Sequence, residues 1–249
     1  MIELPVARGV PAVTAAQMAE IDRAAVEEIG ISIEMLMENA ARGVALAARA
    51  LLGGSVDGRR VVCLAGGGNN GGDALGAARR LHGWGAAVRC VLSGTRDDLH
   101  GDLNKRQHDI AARAGIEIDV GADHPRLEAA ELIVDGLLGY SVRGAPRGSV
   151  ETLIRAANAS RVPILAVDLP SGLDPDTGAP LGAAIRAAAT VTLGLPKAGL
   201  VGPGARPFVG DLLLADIAVP AYAYDRFGID ARRCFVAGDL VRVAGAPRP

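Results

Sequence analysis

One run of residues concentrates more chemistry than any other in the chain: AGGGNNGGDA at 65–74, directly after an apolar strand pattern and at the opening of a helical one. Glycines let backbone N–H groups approach an anion, and a helix amino terminus adds partial positive charge. Gly66, Gly68 and Gly71 satisfy the spacing of the dinucleotide fingerprint, a match that alone says little. An ordinary dehydrogenase site is disfavoured. The next strand, AAVRCVLSG, reaches Ser93 without the carboxylate that holds an adenine ribose. Asn69, Asn70 and Asp73 crowd the loop, and Asp73 repels a pyrophosphate placed as in that fingerprint. A P-loop is excluded because no Gly-Lys-Ser/Thr follows. A tight turn with capping side chains accounts for less than this loop contains.

Two further strand patterns end on polar residues. LIVDGLLGYSVRGAPRG places Asp135 at a strand tip, followed by a glycine-bearing loop over 139–145, with Arg143 and Arg147 as candidate phosphate partners. ILAVDLPSGLDPDTG places Asp168 and Ser171 at another tip. Either aspartate taken singly also reads as a helix N-cap or a surface group. In a parallel sheet, however, ligands sit beyond the carboxyl ends of the strands, and three polar clusters there point to one site. Asn70, Asp135 and Ser171 are oxygen donors suited to a hard cation, which spacing alone does not name. Asp168, beside a Pro-Ser-Gly turn, is the candidate for acid/base work.

The elements that must position these groups follow from periodicity. Strand patterns fall at 61–65, 87–92, 116–120, 132–136 and 162–168, separated by helical patterns at 72–82, 102–114, 125–130 and 149–159. Apolar strands without alternation, each followed by a helix, predict a parallel sheet covered on both faces. Runs at 189–194 and 211–215 extend that sheet on one side, and the tail after Val236 is expected to be poorly structured. Two helices come first, one from Thr14, with Gln17 completing a capping box, to Gly30, the other from Ser32 to Leu52. The expected fold is α/β, in one domain over residues 1–249.

Composition bounds the rest. Half of the 249 residues are hydrophobic, rich in small side chains that suit helices lying close on a sheet. A net charge of −2 and 3% aromatic residues argue against nucleic acid and against an anionic membrane surface. No run reaches the roughly 18 apolar residues of a membrane span. The start, MIELPVARGV, lacks a signal-peptide pattern, so a cytoplasmic protein is expected. Cys63, Cys90 and Cys234 read as buried thiols, and His82, His100, His108 and His124 as structural or solvated groups. Lys197, one of two lysines, is either a site group or a loop cap, and Asn39 bonds either the site or a neighbouring helix.

GGGNNGGDA, VDGLLGYSVRG, AVDLPSGLDPDTG and TLGLPKAGL occur in this order, with QMAEID and LMENAARGV before them and GDLLLADIAVP after. Together, over about residues 14–220, they resemble the YjeF N-terminal domain family of NAD(P)H-hydrate epimerases. The resemblance implies a Rossmann-like three-layer αβα sandwich, usually a homodimer, that binds a hydrated dinucleotide and a potassium ion. It implies potassium ligation by Asn70, Asp135 and Ser171. It implies substrate contacts from Asn69, Asn70, Gly71, Gly72 and Asp73, from Gly139, Tyr140, Ser141, Val142, Arg143, Gly144 and Ala145, and from Asp168. The activity implied is epimerisation of the R and S forms of hydrated NADH or NADPH at nicotinamide C6, a cofactor repair. Two positions depart from the family pattern: Ala74 stands after Asp73 where glycine is common, and Gly139, Tyr140 and Ser141 replace Gly-Thr-Gly. No dehydratase region follows, so that activity is expected on a separate polypeptide. The rival readings are a non-catalytic dinucleotide-binding or scaffolding module, and an enzyme acting on another nucleotide or sugar-phosphate.

Overall fold

The structure, a computed structural model, describes residues 2–121, 125–141 and 143–245. In chain order its strands are β1 (Val6–Ala7), β2 (Arg60–Ala65), β3 (Ala87–Leu92), β4 (Glu117–Val120), β5 (Leu132–Gly136), β6 (Ile164–Val167), β7 (Ala189–Leu193), β8 (Asp211–Ala215) and β9 (Leu240–Val243). The helices are α1 (Ala15–Arg23), α2 (Ile33–Leu51), α3 (Asn69–Gly83), α4 (Gly101–Arg113) and α5 (Gly148–Ala159), then the short α6 (Ala198–Val201), α7 (Arg206–Val209) and α8 (Ala221–Asp225).

One sheet runs in the order β1-β9-β8-β7-β6-β5-β2-β3-β4. Among the described residues every pairing is parallel except β8 with β9. The chain winds outward from β2 to β4, returns to β5 on the other side of β2, and winds outward again through β8. The strand order therefore reverses between β2 and β5, and a crevice opens beyond the carboxyl ends of that pair.

Alternate residues of each strand feed opposite faces. Val61, Cys63 and Ala65 join α2 and α3 in one apolar layer, while Val62 and Leu64 join α5 on the other face. Leu212 and Leu214 of β8 meet α1 and α8 in a third cluster. This is the expected three-layer sandwich. Small residues set its spacing: a Cβ on Gly43 of α2 would stand 2.5 Å from the Ala215 Cβ of β8. One on Gly76 of α3 would stand 2.7 Å from that of Ala41 of α2. The three cysteines are buried free thiols, Cys63 and Cys90 being register partners on β2 and β3.

The Thr14–Gln17 capping box is present, and Ser32 caps α2 through the Met35 N–H. Three expectations need correction. Residues 125–130 form no helix: Pro125 opens the segment, Arg126 is left-handed at φ 47°, and a single turn inserts Leu127 into the core. The stretch after Val236 is not unstructured throughout, because Leu240, Val241 and Val243 bury themselves as β9. Finally, β1 precedes the two amino-terminal helices, pairing Val6 with Arg242 and Ala7 with Val243. No described helix is long and apolar enough to cross a membrane.

Candidate functional site

The glycine loop follows β2 because side chains have no room there. A Cβ on Gly66 would fall on the Leu137 carbonyl oxygen, and one on Gly71 on that of Gly66. The Gly66 N–H donates to Gly136 O at 3.1 Å, which ties the loop to the tip of β5. Gly68 is the N-cap of α3 and offers no side-chain cap, so the helix begins at Asn69, three residues earlier than its periodicity suggested. The amino end of α3 thus reaches a cavity of about 1000 Å³ lined by Gly67, Gly68, Asn69, Asn70 and Asp73 among others.

Asp135 sits at the end of β5, fully buried. Its Oδ1 accepts from the Ser171 hydroxyl at 2.7 Å and the Leu137 N–H at 3.2 Å, and its Oδ2 from the Ser171 N–H at 2.9 Å. The Leu138 N–H donates to Ser171 Oγ at 2.9 Å, and Asn70 Nδ2 to Leu138 O at 2.9 Å. Asn70, Asp135 and Ser171 therefore meet in one network. Burial pushes the Asp135 carboxyl up to about 6 against the pull of those N–H and O–H donors. No cationic side chain pairs with it among the described residues. Amide, carboxylate, hydroxyl and carbonyl oxygens around an uncompensated buried carboxylate make a hard donor set, one that an alkali cation fits.

The other end of the cavity holds charge. Asp168 follows β6 with φ 67°, a left-handed backbone uncommon outside glycine, and such conformations gather at functional sites. Its Oδ1 accepts from Lys197 Nζ, and the same ammonium donates to Leu193 O at 3.2 Å. Both side chains are almost wholly enclosed, at 1% exposure for Lys197 and 6% for Asp168. Lys197 Nζ also lies 5.2 Å from the centroid of the Tyr140 ring, at cation–π range. The Tyr140 hydroxyl donates to Asp22 Oδ2 at 2.6 Å. Asp73 lines the same wall, and burial, then the charges of Asp168 and Asp22, push its carboxyl well up despite Lys197. Burial likewise raises Asp22, opposed by the Tyr140 hydroxyl and by Lys197.

Of the expected site residues, Asn69, Asn70, Asp73, Gly139, Tyr140, Ser141 and Asp168 line the cavity, with Asp135 and Ser171 directly behind. Gly71 and Gly72 do not: Gly71 faces the Gly66 carbonyl, and Gly72 faces Met37 and Asn104. Arg143, Gly144, Ala145 and Arg147 are exposed outside the wall, with Arg143 Nη1 on Tyr140 O at 3.0 Å. Val142 and His124 lie outside the described residues. Ala74 does not narrow the approach to a ligand, since it is buried against Gly136 of β5. Tyr140 does not block the cavity but forms part of its wall. Among the described residues, Asn39 makes only a long 3.5 Å bond to Ile217 O.

Sequence reasoning missed Asp22, and it set His100 aside as structural or solvated; His100 is exposed and lines the cavity beside Ser93, Thr95 and Asp98. Asp22 was visible only as part of QMAEID, with no spacing to tie it to Tyr140, 118 positions away. His100 enters because its N–H donates to Gly67 O at 2.8 Å and draws the loop after β3 toward the glycine loop.

Comparison with known proteins places this arrangement. Residues 33–199 match the family described as YjeF-related protein N-terminus. The chain is 40% identical over 235 residues to the NAD(P)H-hydrate epimerase of Dehalogenimonas lykanthroporepellens, spanning 94% of this chain and 93% of that one. It is 36% identical over 206 residues to the NAD(P)H-hydrate epimerase of Limosilactobacillus fermentum, spanning 82% and 96%. The bifunctional NAD(P)H-hydrate repair enzyme Nnr of Pyrobaculum aerophilum is 38% identical over 259 residues, spanning 94% of this chain but 50% of the longer relative. The crystal structure of yeast ynu0 matches with a TM-score of 0.78 at 25% identity, covering 94% of this chain and 100% of that one. With these likenesses and a site gathered at the reversal of strand order, the chain belongs to the family of YjeF-related protein N-termini.

Proposed function

We propose that this chain is an isomerase that interconverts the R and S forms of NADH or NADPH hydrated at nicotinamide C6. Relatives of nearly full length named as epimerases support the reaction. The observation that carries it to this site is the enclosed Asp168–Lys197 pair at one end of a cavity whose other wall is the glycine loop. A non-catalytic module has no use for such a pair.

C6 of the hydrated ring bears both the ring nitrogen and a hydroxyl. The nitrogen lone pair expels the protonated hydroxyl as water, leaving a planar iminium carbon. Water then adds to the opposite face, and the proton it loses restores the one consumed. Asp168 relays that proton, and Lys197 holds its carboxylate in place. The loop N–H groups and the amino end of α3 orient the phosphates. Asn70, Asp135 and Ser171 would hold a potassium ion, which supplies fixed positive charge beside the glycine loop. The reading extends to a homodimer in the cytoplasm and to a hydrate dehydratase as the functional partner. The bifunctional relatives, half spanned by this chain, support that pairing of activities.

Asp168→Asn tests the mechanism: asparagine also tolerates positive φ, and the substitution removes the proton relay together with the countercharge of Lys197. Epimerisation, followed by separating the two hydrate forms chromatographically, should fall about 10²–10⁴-fold, with NADP binding near normal. Unchanged turnover removes Asp168 from the mechanism, and a wild-type chain that leaves the epimer ratio untouched removes the reaction.

A further inference from the structure

The amino-terminal segment touches the reacting end of the cavity twice. Just before α1, Val13 bridges the backbone of Lys197: the Val13 N–H donates to Pro196 O at 2.9 Å, and the Ala198 N–H to Val13 O at 2.8 Å. Two turns later, Asp22 accepts the Tyr140 hydroxyl, and the Tyr140 ring faces the Lys197 ammonium. A closed circuit results. One segment pins the main chain of Lys197 and, through Asp22 and Tyr140, also pins the surface against which its side chain rests. Tyr140 stands where the related pattern carries threonine, which has no ring to offer an ammonium.

We propose that Asp22 and Tyr140 form a positioning pair for the epimerisation, the Asp22–Tyr140 bond fixing the ring that keeps the Lys197 ammonium on Asp168 Oδ1. The pair rests on the epimerase reading for its kinetic consequence, but not for its structural one. A buried ammonium with one carboxylate and one carbonyl partner still has rotamers open to it, and a ring at cation–π distance removes them. The ring itself is half-buried at a loop and needs the hydroxyl bond to stay in place.

Four variants test this: Tyr140→Phe, Asp22→Ala, their double, and Asp22→Asn, which keeps an acceptor for the hydroxyl. Tyr140→Phe and Asp22→Ala should each lower kcat about 10-fold, the size expected for losing a hydrogen bond to a charged group, with KM within about twofold. The double should be no worse than either single, and Asp22→Asn should recover most of kcat. A second readout needs no substrate. The chain has two lysines, Lys105 and Lys197, so lysine labelled with 15N at Nζ gives two ammonium signals. The Lys197 signal should shift and broaden in Tyr140→Phe and Asp22→Ala; in Asp22→Asn, where a nearby charge goes but the acceptor stays, it should shift without broadening. An unmoved Lys197 signal in both loss variants overturns the proposal, as does a double whose kcat falls by the product of the singles. If the wild-type chain leaves hydrated NADPH unaltered, the epimerase reading fails, while the lysine signal still decides the positioning claim.

Discussion

Asp135 is a fully buried carboxylate with no cationic partner among the described residues. Its shift from 3.8 to about 6 is caused by burial, and three donors only partly oppose it. A carboxyl whose folded pKa lies above its unfolded one binds more protons in the native state between those values. Stability should therefore decline as pH rises from about 4 to 6 and stay low above that. The shift corresponds to about 3 kcal/mol of lost stability at neutral pH, to order of magnitude. In potassium-free buffer, Asp135→Asn should lessen this decline, Asp73 and Asp22 contributing the remainder, and raise the urea midpoint at pH 7. Potassium should stabilise the parent chain and leave the variant unmoved. An equal gain from potassium in both would separate Asp135 from the ion. Asp168 differs, since Lys197 supplies its countercharge directly. These roles were partly legible, because carboxylates at strand tips announce themselves in an apolar pattern. The left-handed backbone of Asp168 and its bond to Lys197 were not, since dihedral angles and contacts 29 positions apart leave no periodicity.

At the scale of elements, α2 and α3 lie close because glycines and alanines meet. Gly43→Ala sets two effects against each other. Alanine raises helix propensity by about 1 kcal/mol, whereas a Cβ 2.5 Å from that of Ala215 forces α2 off β8. Overpacking of this kind costs about 1–3 kcal/mol, and the backbone of a central element cannot yield cheaply, so the clash should win. Urea denaturation at fixed pH should show a lower midpoint, and a higher one would mean that α2 is free to move outward. The helices were legible from caps: Thr14 with Gln17, and Ser32, signal their starts through local bonds that sequence displays. β9 was not, because its partners β8 and β1 are distant in the chain and its neighbourhood is rich in turn residues. The start of α3 was misplaced because its first residues are glycine and asparagine, whose helical placement depends on the tight approach of Gly66 and Gly71.

For the whole molecule, the strand order concentrates function. The reversal between β2 and β5 brings the glycine loop, Asp135 and Asp168 to one rim, and the sequence pattern of strand, tip and helix was enough to anticipate that rim. It was not enough to anticipate which part of the rim α1 reaches. α1 reaches the same rim from the far side of the sheet, carried by packing of Met18 and Ile21 against β8 and α8, and nothing local marks its destination.

β1 pairs with β9, and the segment leaving β1 then bridges Lys197. The two extremities of the described chain are thus stitched side by side, and the ammonium hangs from that seam. A chain emerging from the ribosome lacks a seat for β1 until Leu240–Val243 has been made, so catalytic competence should arrive only once that strand is available. Cutting the chain before Leu240 should leave most of the sheet folded by far-ultraviolet circular dichroism, yet with lysine and dinucleotide no longer held in register and turnover lost. Full activity in such a fragment would show that the seam is dispensable.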